Sequence, residues 1–166
     1  MTVDVQRLFF ALWPPDEIAA KIACLAKSMD GAGKAVPQDQ LHVTLAFRGR
    51  CNTATRDALI ETAKHLRVPS FELSLDRLGC FRRPGIIWLG MSSPPTALYT
   101  LASALAGENF DPQRYVPHVT LQRKAGPVGA HPVVPMRWPV REFALVESGT
   151  AGVPGSYRTI ATWPLA

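Results

Sequence analysis

One four-residue word is written twice in this chain: HVTL stands in LHVTLAFRG (Leu41 to Gly49) and again in PHVTLQRKAG (Pro117 to Gly126). The 166 residues include only four histidines, and two of them belong to this word, 76 positions apart. On an extended strand successive side chains point to opposite faces, so residues i and i+2 share one. His42 and Thr44 therefore project together, as do His118 and Thr120. Leu41, Val43 and Leu45 turn the other way, with Pro117, Val119 and Leu121, and can be buried. Each copy is thus a strand anchored by its apolar side that presents an imidazole and a hydroxyl about 7 Å apart.

The surroundings repeat as well. RLFFALW (Arg7 to Trp13) reads as a buried strand closed by Pro14 and Pro15. From Asp16, Ile18, Ile22, Leu25 and Met29 fall on one helical stripe, and DGAG (Asp30 to Gly33) ends that helix. LHVTLAF follows as a strand. Asn52 or Thr53 can cap a second helix whose Leu59, Ala63 and Leu66 share a face, with Pro69 as its stop. FELSLDRL (Phe71 to Leu78) alternates as a half-exposed strand, RRPG (Arg82 to Gly85) is a turn, and IIWLGM (Ile86 to Met91) is the next strand. Ser93 and Pro94 suit a helix start, with Leu98, Leu101 and Leu105 lining the helix. PHVTLQR is a strand, and the proline- and glycine-rich stretch from Gly126 to about Pro135 reads as a loop. VREFALVES (Val140 to Ser148) and SYRTIATW (Ser156 to Trp163) are strands joined by TAGVPG. Strand, helix and HVTL strand thus occur twice in order, which marks a duplicated half. Two such halves packed about a pseudo-twofold axis would face their HVTL strands across a cleft.

Composition narrows the class. Hydrophobic residues make up 47% and charged residues 19%, enough apolar material for a packed interior, and the length suits one domain, 1–166. No apolar run approaches the roughly 18 residues that span a bilayer, so no membrane association is expected. Cys24, Cys51 and Cys80 are scattered and odd in number. They suit a reducing cytoplasmic setting rather than a disulfide framework or a zinc site. The formal charge of +5 favours a polyanionic partner.

Histidine is the side chain that exchanges a proton near neutrality. Two in one cleft can divide the work, one neutral to deprotonate a nucleophile, the other protonated to assist a leaving oxygen. Threonine hydroxyls can hold the non-bridging oxygens of a phosphate between them. Such a pair predicts a bell-shaped dependence of rate on pH centred near neutrality. Two imidazoles fall short of the three or four ligands a zinc site takes, so no metal and no cofactor are expected.

The two H-x-T-L motifs resemble those of the 2H phosphoesterase superfamily. With the flanks RLFFALWPP, FELSLDRLGCF, PGIIWLG and VREFALVES, the likeness narrows to the RNA 2′,3′-cyclic phosphodiesterases, also called 2′-5′ RNA ligases, from Arg7 to Leu165. The resemblance implies a bilobal α+β fold, two pseudo-twofold-related antiparallel sheets forming a V-shaped groove with helices outside. It implies metal-independent hydrolysis of RNA 2′,3′-cyclic phosphate ends to 2′-phosphomonoesters, with His42 as proton donor and His118 as proton acceptor. RNA ends or cyclic nucleotides would be the partners of a monomer. The alternatives are 2′-5′ joining of RNA ends as the main reaction, or RNA binding without turnover. Arg123, five positions after His118, matches an arginine of the second motif and would contact phosphate. Phe47 stands at the same place after His42 and is the candidate for stacking on a base. Strict alternation puts both on the face opposite the histidines, so either the strands end or bulge there or these two assignments fail. The family often has a tryptophan shortly before the first motif, where this chain reads GKAVPQDQ. His65, His131, Arg82, Arg83, Tyr115 and Tyr157 read as exposed or packing residues.

Overall fold

The computed structural model describes residues 4–29, 33–149 and 155–166. Parts of the DGAG and TAGVPG connections lie outside the described residues. In chain order the elements are β1 (Gln6–Leu12), α1 (Asp16–Ser28), β2 (Lys34–Ala35), β3 (Val43–Cys51), α2 (Thr53–Lys64) and β4 (Phe71–Phe81). They continue with β5 (Ile86–Gly90), α3 (Thr96–Ala106), β6 (His118–Arg123), β7 (His131–Val140), β8 (Glu142–Ser148) and β9 (Tyr157–Pro164).

Among the described residues all nine strands join one sheet, in the order β7-β4-β5-β6-β3-β1-β8-β9, with β2 beside β6. Every pairing is antiparallel. The order is palindromic in role: β6 answers β3, β5 answers β1, and β4 answers β8. β3 and β6 pair through the single register position Val43↔Val119, and β2 adds two pairs with β6 further along. Long strands that touch at one pair diverge on either side of it, which opens the expected V-shaped groove.

The helices occupy the other face and cross over. α1, which follows β1, packs behind β6, while α3, which follows β5, packs behind β3. Ile18 and Ile22 of α1, Leu98, Leu101 and Leu105 of α3, and Val43, Leu45, Val119 and Leu121 meet in one buried core. The polar ends of these helices are satisfied by the HVTL strands. Gln122 Nε2 donates to Ala26 O at 2.8 Å, and Arg48 donates to Leu105 O and Ala106 O, both at 2.9 Å. These contacts take up carbonyls that a helix C-terminus leaves unpaired. Asn52 caps α2 by accepting from the Thr55 N–H at 2.8 Å.

Two readings of the sequence are corrected, and one short strand is added. The stretch read as a loop to Pro135 becomes strand from His131 onward. Its prolines, Pro132, Pro135 and Pro139, are tolerated because β7 is an edge strand, where a missing N–H breaks no ladder on the solvent side. The third helix begins at Thr96 rather than at Ser93, after an extended Pro95. Pro95 disfavours the helical region for Pro94 before it, so an earlier start is excluded. The short strand β2 had no signal in two residues.

Candidate active site

With Val43 opposite Val119 in an antiparallel pair, the next positions outward set His42 beside Thr120 and Thr44 beside His118. Val43 and Val119 are fully buried on the helix side. All four polar side chains therefore stand on the groove face, around the local twofold axis. The two histidines lie on one diagonal, about 7–8 Å apart at the backbone.

Both imidazoles are held in the same way. His42 Nδ1 lies 2.7 Å from Gln40 O, and His118 Nδ1 lies 2.6 Å from Val116 O. A carbonyl oxygen only accepts, so Nδ1 carries a proton in each ring and Nε2 is the atom left to gain or lose one. Burial lowers the proton affinity of both rings, and the carbonyl bonds oppose this. For His42 the positive charges of Arg123 and His118 push further down. The pair in the free protein therefore titrates below the ordinary 6.5 of histidine, which moves the expected bell from neutrality to its acid side. A bound phosphate anion acts in the opposite sense and favours the protonated rings.

Aromatic rings account for the burial. His42 is packed by Phe9, Trp13 and Tyr157 with centroids 5.2, 5.4 and 5.3 Å away. His118 is packed by Phe81 at 5.1 Å and Trp88 at 6.2 Å. The indole of Trp88 occupies space that two glycines leave open. A Cβ on Gly79 would come 2.2 Å from its ring, and one on Gly90 2.7 Å. The halves solve one problem with different positions. Ala11 and Trp88 are equivalent, opposite Thr44 and Thr120 respectively. Two residues further on, Trp13 corresponds to Gly90. Each half pairs one tryptophan with one small residue and puts the indole against its histidine. The Nε1 atoms of Trp13 and Trp88 are buried and take no hydrogen bond, so these indoles act through bulk.

The conflict over Arg123 and Phe47 is settled by two β-bulges. In β3, Phe10 pairs Ala46 but Ala11 pairs Thr44, which leaves Leu45 extra. In β6, Ile87 pairs Gln122 but Trp88 pairs Thr120, which leaves Leu121 extra. An inserted residue shifts the alternation by one. Leu45 and Ala46, like Leu121 and Gln122, are both buried, and Phe47 and Arg123 return to the face of the histidines.

A groove of about 860 Å³ runs over this face, with His42, Thr44, Thr120, Phe47, Arg123 and Tyr157 in its wall. His118 is not among the residues that line this groove and packs in the niche made by Phe81 and Trp88. Arg7, Lys34 and Lys124 join Arg123 on the wall, and among the described residues no carboxylate lines it, so this lining attracts anions. The sequence reading missed Arg7, Lys34 and Lys124, and it took Tyr157 for packing alone. Arg7 and Phe9 could have been found, because RLFFALW alternates and Arg7, Phe9 and Ala11 share the groove face. Lys34 comes from the segment GKAVPQDQ that precedes the first motif. Tyr115, by contrast, lies beneath the site: its hydroxyl donates to Thr44 O at 2.9 Å, and burial raises its pKa. His65 pairs with Glu61 on the exposed face of α2, and His131 lies exposed on β7. Among the described residues no three His, Cys, Asp or Glu side chains gather as a metal site would require, and no helix is long and apolar enough to cross a membrane.

A V-shaped, pseudo-twofold sheet with an imidazole and a hydroxyl from each half matches a known class. A model of the 2′-5′ RNA ligase superfamily covers residues 14–151, and the chain belongs to that superfamily. Over 98% of both chains it is 36% identical to the RNA 2′,3′-cyclic phosphodiesterase of Escherichia coli (strain K12). It is 32% identical to the protein of that name from Thermus thermophilus, over 86% of this chain and 81% of the other. Among solved structures, E. coli LigT complexed with 3′-AMP matches with a TM-score of 0.88 at 36% identity, covering 98% of this chain and 99% of that one. The same protein complexed with phosphate matches at 0.84, with the same identity and coverage.

Proposed function

We propose that the chain hydrolyses RNA 2′,3′-cyclic phosphate ends to 2′-phosphomonoesters by acid–base catalysis shared between His42 and His118. The observation that carries this is the diagonal pair of imidazoles, each with Nδ1 committed to a backbone carbonyl and Nε2 left for the substrate. The names of the relatives and the nucleotide and phosphate complexes of E. coli LigT support it.

In the reaction a water oxygen attacks phosphorus in line with the P–O3′ bond. His118 Nε2 takes the proton of the water as the new P–O bond forms. The P–O3′ bond breaks, and the His42 imidazolium gives its Nε2 proton to O3′, leaving the phosphate on O2′. Thr44 and Thr120 hold the non-bridging oxygens, and Arg123 offsets the charge that grows there. Phe47 offers its ring to the terminal base. Arg123 and His118 both work against a standing proton on His42, so the donor is charged chiefly when the substrate phosphate is present. The proton transfers are completed by the two imidazoles, with no metal or cofactor, and one chain supplies both.

The test is the isomer formed from a nucleoside 2′,3′-cyclic phosphate. The 2′-monophosphate is expected as the sole product, at a rate unchanged by a chelator. A 3′-monophosphate would overturn the direction of proton delivery, and loss of activity in the chelator would overturn the division of work between two histidines.

A further inference from the structure

The groove is not the only cavity that Phe47 borders. A second one of about 450 Å³ opens beside it, with Arg48, Asn109, Phe110, Arg114 and Tyr115 in its wall. We propose that this second cavity holds the nucleotide on the 5′ side of the reacting RNA end, so that the protein reads an RNA chain rather than a single cyclic nucleotide. This rests on the cyclic phosphodiesterase reading above.

Phe47 is 57% exposed on a protein whose other aromatic rings are largely covered. Arg7, which lines the groove, lies over its ring with the guanidinium carbon 5.0 Å from the centroid. The rest of the ring stays open and borders the second cavity. An exposed ring between two cavities is the arrangement that successive bases of a single strand occupy.

The chemistry of the second cavity suits a nucleotide. Its volume falls in the range of small-ligand sites. Arg48 is pinned through one nitrogen to the carbonyls of Leu105 and Ala106, which fixes a cation in the wall. Arg114 is 89% exposed, and its ion pair with Asp111 is a loose 3.6 Å. Asp111, the only acid among the described residues of that wall, also accepts from the Gln113 N–H. The Asn109 amide can donate to and accept from a base edge, and Phe110 adds a second ring. The floor is joined to the reaction site, because Tyr115 donates to the backbone oxygen of Thr44. The cavity also breaks the twofold. In the other half the positions of Phe47 and Arg48 are taken by Arg123 and Lys124, both on the groove wall. A strand leaving the histidines therefore has an aromatic exit on one side only.

The experiment compares kcat/KM for a nucleoside 2′,3′-cyclic phosphate and for a trinucleotide ending in the same cyclic phosphate, in the wild type, Arg114→Glu and Asn109→Ala. The wild type is expected to prefer the trinucleotide by at least about fivefold, the low end of one base–aromatic stack. Arg114→Glu should remove most of that preference and leave the mononucleotide rate within about twofold. Asn109→Ala should act in the same direction. A wild type with no preference, or an Arg114→Glu that slows both substrates alike, would overturn the assignment while leaving the cyclic phosphodiesterase reading in place. Turnover of neither substrate by the wild type would overturn that reading itself.

Discussion

His42→Ala and His118→Ala are each expected to lower kcat/KM for a 2′,3′-cyclic nucleotide by about 10²–10⁴-fold, the contribution of one positioned acid or base. The rings sit on the groove face, outside the main core beneath the helices, so folding should survive either change, which circular dichroism would verify. Groups that act on one transition state are strongly non-additive. The double variant should therefore fall little below the weaker single one. Phosphate binding is expected to persist in the alanine variants, because Thr44, Thr120 and Arg123 remain. A single variant that retained near-wild-type turnover would remove its histidine from the reaction.

Arg123→Gln is expected to cost about 10²-fold in kcat, as removal of one charge-stabilising donor does in a preorganised site. The guanidinium reaches the groove only because Leu121 is inserted into β6, which turns residue 123 to the face of the histidines. Arg123 also presses on the His42 proton. Its removal should raise the His42 pKa and carry one limb of the pH–rate profile toward higher pH. A variant in which kcat holds and only KM rises would make Arg123 a groove cation that binds ground state and transition state alike.

Much of this was legible in the residues. Period-two alternation placed His42 with Thr44 and His118 with Thr120, and the duplicated strand–helix–strand order implied two halves facing each other. The structure sharpens this, because the two HVTL strands pair with each other through one residue pair, Val43↔Val119. What stayed hidden depends on neighbours. The bulges at Leu45 and Leu121 exist only relative to partner strands, so alternation alone sent Phe47 and Arg123 to the wrong face. β7 was unreadable because its three prolines argue against any strand except an edge, and being an edge is a property of the sheet. Trp13 and Trp88 look like ordinary core residues until the register sets each indole against a histidine. The cationic groove wall draws Arg7, Lys34 and the Arg123–Lys124 pair from three separate segments, so no charge run announced it.

The pH dependence of kcat/KM, taken for the wild type and for each histidine variant, tests the division of labour most directly. Burial lowers both pKa values in the free protein. The acid limb marks protonation of the base and the alkaline limb deprotonation of the acid, so the bell should centre below pH 6.5, with limbs that belong to the pair. The profile of kcat should lie at higher pH, because the bound phosphate favours the protonated rings. His118→Ala should erase the acid limb and His42→Ala the alkaline one. A rate that climbs without a maximum to pH 10, or a bell with both limbs intact after loss of either ring, would contradict two imidazoles acting on one phosphorus.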